Sequence, residues 1–395
     1  MLTQRGWATA GAGTALALLW FLFGEPELGV ASLLLLAAVV AALVWIRRGK
    51  PRVEIRRHTS PMAVHDGDHA SVTLHVSNDG VPLRQLTVTD EVTGLGTAEF
   101  ATASLPRRAT YKATYRVLCR PRGVYTIGPT NLTVSDPLGL ASLSTTAGRV
   151  DTLVVYPAVE ELSGLPDVLG RNMAIRAHRP EHSQRGGEDF YTLREYQQGD
   201  DLRRIHWPSS ARHDRLMIRQ LEIPWQARSL VVLDVRAEAY SNPASFEAAV
   251  SGAASVIRHL IDHSFETQVW MGGPTVSVGP ANSGYAVAME RLAEVGTQRG
   301  LELAAAASRL RYQGGGGMLV MATGTPDASL LGLARVLSPE YPTAALLVAE
   351  TGSSTSVQDF QRAGVLTVTI DGTGSWAPSW NRAMRTSWHA VSAGS

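Results

Sequence analysis

Hydrophobic positions change their rhythm twice along the chain. From Trp7 to Phe23 and from Leu28 to Ile46 it runs without a charge, for seventeen and nineteen residues. A bilayer core takes about 20 apolar residues as helix, so each run predicts a membrane-spanning helix. Only Gly24-Glu25-Pro26-Glu27 separates them, which predicts a tight hairpin. Arg5 ahead of the first run suits a cleaved leader, but no small-x-small site follows Phe23 and a second apolar run comes at once. From 51 to 160 apolar residues alternate with polar ones, as in Val72, Leu74 and Val76, or Ala113, Tyr115 and Val117. Turn residues such as Ser77-Asn78-Asp79-Gly80 and Ser135-Asp136-Pro137-Leu138-Gly139 punctuate the runs, which predicts short antiparallel strands in an immunoglobulin-like β-sandwich. From 229 to 395 buried-type strands alternate with helical periodicity. Strands are expected over 229–235, 266–271, 276–278, 318–322, 343–348 and 366–370, and helices over 243–262, 282–310, 327–337, 356–363 and 380–391. Such alternation predicts a doubly wound, mostly parallel α/β sheet.

Composition adds location to this picture. Hydrophobic residues make up 45% of the 395 and charged residues 18%, an imbalance that the two N-terminal runs explain. The hairpin loop holds two Glu and no basic residue, whereas Arg47, Arg48, Lys50, Arg52, Arg56 and Arg57 follow the second run. The positive-inside rule places such a cluster in the cytoplasm. The expected protein is therefore a multi-pass protein of the cell membrane with most of the chain cytosolic. A net charge of +1 argues against a bulk polyanion partner such as nucleic acid. The lone Cys119 excludes an internal disulfide and multi-cysteine metal sites, and agrees with a cytosolic location.

Residues 161–228 are patterned differently. Ten Arg and eight acidic residues intersperse between Arg171 and Glu222, which suggests ion pairs more than a nucleic-acid stripe. Within it Asp200 is placed to cap a short helix from Asp201, with Pro208 ending it after Trp207. Arg194, Tyr196, Gly199, Asp200, Asp201, Arg203, Arg204, Ile205, Trp207, Ser210, Ala211 and Arg212 then form a string of unusual specificity. This string resembles the signature of the bacterial family called domain of unknown function 58. Arg122-Gly-Val-Tyr125-Thr-Ile-Gly128-Pro129, Asp136-Pro-Leu-Gly139-Leu140 and the helix pair resemble it too. The resemblance implies a membrane-anchored protein often encoded beside a MoxR-type AAA+ ATPase. It transfers no catalytic residue, because the family has no assigned activity. The string itself is open to a domain-junction clamp or a partner-docking surface.

Asp234 at the end of the first α/β strand is similar to the metal-binding position of von Willebrand factor A domains, where Asp-x-Ser-x-Ser supplies oxygens to Mg²⁺. Here the run is Asp234-Val-Arg236-Ala-Glu238, both serines are gone, and Arg236 takes one slot. A degenerate metal site is expected over Asp234, Arg236 and Glu238, with Arg236 in the cation's place and no metal or other cofactor. Gly314–Gly317 lacks the Lys-Ser/Thr ending of a phosphate loop and reads as a flexible turn; His259 and His263 lack the Glu of a zinc-peptidase pair. The leading expectation is a non-enzymatic interaction or scaffold protein, with domains at 1–50, 51–160, 161–228 and 229–395, working with a MoxR-type ATPase on envelope-associated complexes. Two others stand beside it: an enzyme with a polar site in 188–212 (Asp200, Asp201, His206, Arg212), and metal-dependent ligand binding by the A-like domain.

Overall fold

The computed structural model describes residues 1–48, 52–165, 191–196, 205–213, 215–221, 228–279, 282–311, 316–350, 354–370 and 374–392. They fall into two compact units: Met1–Ala158 with Met289–Val295, and Val159–Ala288 with Gly296–Ser395. The described residues of 161–228 are counted with the second unit.

The first unit opens with helices α1 (Gln4–Phe23) and α2 (Pro26–Arg48), both long and apolar enough to cross a membrane. Thr3 caps α1 by accepting a hydrogen bond from the Gly6 amide. Gly24 ends it at φ +74, a left-handed conformation that favours glycine. The helices pack closely: the Ser32 hydroxyl donates to the Gly13 carbonyl at 2.8 Å, and a Cβ on Gly29 would lie 2.9 Å from the Trp20 ring.

Ten strands follow. β1 (Val53–Ser60), β3 (His69–Asn78) and β6 (Thr110–Leu118) form one antiparallel sheet. The second sheet runs β2 (Ala63–His65), β10 (Asp151–Tyr156), β7 (Gly123–Ile127), β4 (Leu83–Val92), β8 (Thr130–Ser135) and β9 (Ser142–Ala147), with β5 (Gly96–Leu105) also on β4. All pairings are antiparallel except β2 with β10. Alternation decides which face is buried: Ala70, Val72, Leu74 and Val76 of β3 point inward. Leu74 and Val76 meet Leu86, Val88, Leu132 and Val134 of the facing sheet, so the unit is a β-sandwich.

A buried ion pair sits inside this sandwich. The Arg57 side chain is only 2% exposed and forks onto the fully buried Asp90 at 2.7 and 3.1 Å, and reaches Asp151 at 2.8 Å. Thr130 and Tyr115 donate to the remaining Asp90 positions at 2.7 and 2.6 Å. This corrects the grouping of Arg57 with the membrane-flanking cluster: alternation along β1 turns it inward. A Cβ on Gly128 (φ +82) would lie 2.3 Å from the Arg57 guanidinium, so the Gly128-Pro129 motif serves this buried network.

In the second unit, β11 (Tyr191–Glu195) and β12 (Met217–Leu221) form an antiparallel pair, with α3 (Trp207–His213) between them in sequence. The main sheet holds β13 (Arg228–Leu233), β14 (Glu266–Trp270), β15 (Val276–Val278), β16 (Gly316–Thr323), β17 (Thr343–Val348) and β18 (Leu366–Thr369). Its spatial order is β15-β14-β13-β16-β17-β18, parallel throughout except β15. The first strand thus lies in the middle, and the order reverses between β13 and β16. Near-continuous burial along β13, β16 and β17 is what a sheet covered on both faces requires. The helices are α4 (Pro243–Asp262), α5 (Tyr285–Glu294, whose residues from Met289 on fall in the first unit), α6 (Leu303–Leu310), α7 (Ala328–Leu337), α8 (Ser354–Arg362) and α9 (Ala377–Ser392). Gly316 and Gly317 belong to β16 and are not part of a flexible turn as expected, while Gly314 and Gly315 lie outside the described residues; a Cβ on Gly317 would lie 2.6 Å from the Arg228 carbonyl, so close strand approach demands glycine there.

Candidate functional site

Open α/β sheets bind ligands at the carboxyl ends of the strands, where the strand order reverses. Here that crevice lies between the ends of β13 and β16. The chain leaves β13 at Asp234, which is fully buried and held by its own amide to the Ala322 carbonyl at 2.9 Å. Two residues on, Arg236 folds back. Its Nε and Nη2 donate to the two Asp234 oxygens at 3.0 and 2.8 Å. Its Nη1 and Nη2 donate to the two oxygens of Asp327 at 2.8 and 3.0 Å. Asp327 also caps α7 by accepting from the Leu330 amide at 2.8 Å. One planar guanidinium therefore bridges two carboxylates with four hydrogen bonds. Thr323 completes the Asp234 shell with a 3.0 Å hydroxyl bond.

The surrounding loops are tied to the same point. Tyr240 donates its hydroxyl to the Asp234 carbonyl. A Cβ on Gly324 would lie 2.3 Å from the Ala239 carbonyl, so the loop after β16 needs glycine to approach. Glu350, just past β17, accepts from the Ser241 amide at 2.8 Å and the Thr325 hydroxyl at 3.1 Å.

Electrostatics follow from this geometry. Burial alone would lower the Arg236 pKa, but the bonds to Asp234 and Asp327 outweigh it and hold the group above its ordinary value. Burial would raise Asp327; the Arg236 and Leu330 bonds win, and the carboxyl is held below its usual range. Burial and the nearby Asp234 charge push the Tyr240 phenol up. The cluster thus keeps Arg236 charged and Tyr240 neutral, and the Asp234 oxygens are all engaged. Glu238, grouped with this site by spacing, is exposed in the turn Ala237–Ala239 and makes none of these bonds. Spacing in the sequence singles out Asp234 and Arg236, whereas Asp327 reads there only as a helix start. The signal that pointed to it was its place after the neighbouring strand.

Of the signature string, Gly199, Asp200, Asp201, Arg203 and Arg204 lie outside the described residues. Arg194 is in β11 and Tyr196 follows it, its amide bonded to the Leu216 carbonyl at 2.8 Å. Ile205 bridges to Ile218. Ser210 is buried, donates to the His206 carbonyl at 3.0 Å and accepts from the Met217 amide at 2.8 Å, clipping α3 to β12. Pro208 sits in the first turn of α3 instead of ending a helix at Trp207, as expected; a missing amide costs nothing there. His206 meets Ser209 at 2.7 Å. Trp207 and Arg212 are exposed. His259 and His263, four apart on α4, each bond a backbone carbonyl, of Gly164 and His259 respectively, at 2.8 Å. Among the described residues no three His, Cys, Asp or Glu side chains converge as metal ligands.

A curated relative, "Uncharacterized protein YeaD" of Bacillus subtilis (strain 168), is 26% identical over 170 residues, 43% of this chain. The chain spans 41% of that relative's length. Among solved structures, the CARDB domain of the PF1109 protein from Pyrococcus furiosus is 21% identical, with a TM-score of 0.21 over 27% of this chain and 86% of that one. Red sea bream transglutaminase is 16% identical, with a TM-score of 0.20 over 26% of this chain and 15% of that one. Scores at this level carry no argument about fold or function. Residues 192–310, from the signature string through Asp234 and Arg236 to the end of α6, match the family model described as "Protein of unknown function DUF58". By that region the chain is similar to the DUF58 family.

Proposed function

We propose that this chain is a membrane-anchored, non-enzymatic interaction protein whose α/β unit is a von Willebrand factor A-like docking domain locked by its own arginine. The observation that carries the reading is the Arg236 guanidinium bridging Asp234 and Asp327 at the point where such sheets bind ligands. A divalent cation there would supply positive charge to oxygen ligands; Arg236 supplies it covalently and permanently. The strand order and the antiparallel edge strand support the A-like assignment. The helix pair and the basic residues after it support a two-span anchor with both units in the cytosol.

The partner in this reading is a MoxR-type AAA+ ATPase acting on envelope-associated complexes. The test is affinity capture of the full-length protein from native membranes, followed by mass spectrometry. Recovery of such an ATPase supports the reading; its absence from repeated captures that retain other membrane partners removes it. A magnesium titration separates this from metal-dependent ligand binding: the wild-type protein should bind no stoichiometric ion at Asp234.

A further inference from the structure

The Asp136–Leu140 motif has no part in the α/β site, yet its loop is tied by side-chain and backbone hydrogen bonds. Asp136 is 1% exposed, and its carboxylate accepts from the Leu138 amide at 2.9 Å and the Ala141 amide at 2.6 Å. The Gly139 amide returns to the Asp136 carbonyl at 2.9 Å, with Gly139 at φ +69. The loop is also fastened to the helix pair. Leu2 bridges to Ala141, the Thr3 amide donates to the Leu140 carbonyl at 3.0 Å, and the Thr3 hydroxyl donates to the Gly139 carbonyl at 2.6 Å. A Cβ on Gly6 would lie 2.0 Å from the Leu140 oxygen, so α1 lies flush on the loop. Leu140 and Ala141 share one apolar cluster with Val39, Ala42 and Ile46 of α2.

These contacts set the loop's level. Gly6 immediately precedes the uncharged run of α1, and Ile46 is the last residue of that of α2. Val39 lies seven residues earlier, about 10 Å deeper along the helix. The loop thus stands beside the ends of both apolar runs, and at its tip Leu138 is 63% exposed. Arg5, Arg47 and Arg48 are exposed at the same level. A leucine held out by a preorganised turn, flanked by cations and next to apolar helix ends, matches an anionic bilayer surface.

We propose that the Asp136–Leu140 loop is a third membrane-contacting element, with Leu138 seated in the lipid interface and Arg5, Arg47 and Arg48 on anionic headgroups. The proposal rests on α1 and α2 being membrane spans. It gives the Asp-Pro-Leu-Gly-Leu motif a purpose: fixing the angle and height of the β-sandwich over the bilayer.

The test uses full-length protein in phosphatidylcholine–phosphatidylglycerol vesicles. An environment-sensitive fluorophore is placed on Leu138→Cys, on Leu33→Cys within the apolar run of α2, or on Asp68→Cys. Asp68 precedes β3 at the end away from α2, because β3 pairs Asn78 with Val53. Cys119 is fully buried and stays unlabelled. Circular dichroism identical to the parent establishes that each variant is folded. With brominated lipids, the probe at 138 should be quenched and blue-shifted, less than that at 33 and clearly more than that at 68. A probe at 138 that behaves like that at 68, while 33 is quenched, overturns the loop proposal and leaves the spans standing. No quenching at 33 overturns both.

Discussion

Arg236→Met tests the arginine lock through stability. The Arg236 side chain is 9% exposed and Asp234 is fully buried, so the variant leaves a buried carboxylate facing Thr323 without its cation. Breaking a buried pair from one side costs about 3–5 kcal/mol. Asp327 is 46% exposed, so its half of the bridge adds little, about 0–1 kcal/mol. At ~2–4 °C per kcal/mol for a domain of this size, the midpoint should fall by roughly 6–24 °C. The assay is thermal unfolding of the full chain in detergent by near-ultraviolet circular dichroism, with hydrogen exchange read on β13 and β16. Arg236→Met/Asp234→Asn should recover part of the loss, with a coupling of about 1.5–3 kcal/mol, because the amide keeps the Thr323 bond without the charge. The pH dependence carries a sign. Asp327 is depressed in the fold, so its contribution is complete above the ordinary aspartate value near 4 and is lost as pH falls through the depressed value. Arg236→Met should therefore flatten acid destabilisation below about pH 4. An Arg236→Met midpoint at or above that of the wild type would refute the reasoning.

Arg57→Met strands Asp90, which is fully buried, and should cost about 3–5 kcal/mol in denaturant unfolding of the sandwich. Gly6→Ala drives a methyl into the Leu140 carbonyl, and faster hydrogen exchange at residues 139–142 in membranes should follow while the β3 amides stay protected. Burial holds His259 below its ordinary value, with His263 adding to the effect against the Gly164 carbonyl and Asp262. A depressed imidazole stabilises above about pH 6.5 and loses that contribution as pH falls below it. His259→Gln should flatten a stability decline measured by thermal melts downward from about pH 6.5.

Much of the fold is legible in local pattern. Uninterrupted apolar runs mark α1 and α2, alternation marks the sandwich strands, and the strand–helix rhythm marks the α/β sheet. Asp234 and Arg236 are legible as a pair because they are two apart on one strand end. Asp327 completes the bridge from 91 positions away from Arg236, and an aspartate that starts a helix looks the same whether or not it also holds an arginine. Arg57 was hidden by its neighbours: a basic residue just after a membrane span reads as a topology signal, and only the partner strands reveal it as buried. Pro208 misled because proline both ends helices and suits their first turn. The glycines at 6, 128, 317 and 324 were also silent, since what they avoid is a backbone or side chain distant in sequence.

The central claim is that the arginine-locked edge of the α/β unit docks a protein partner. Cross-linking mass spectrometry on the full-length protein in native membranes tests it most directly. The account predicts cross-links from residues 236–241, 324–327 and 350 to a MoxR-type AAA+ ATPase, lost in Arg236→Met. An ATPase absent from the cross-linked set, or joined only through other faces of the chain, would contradict it.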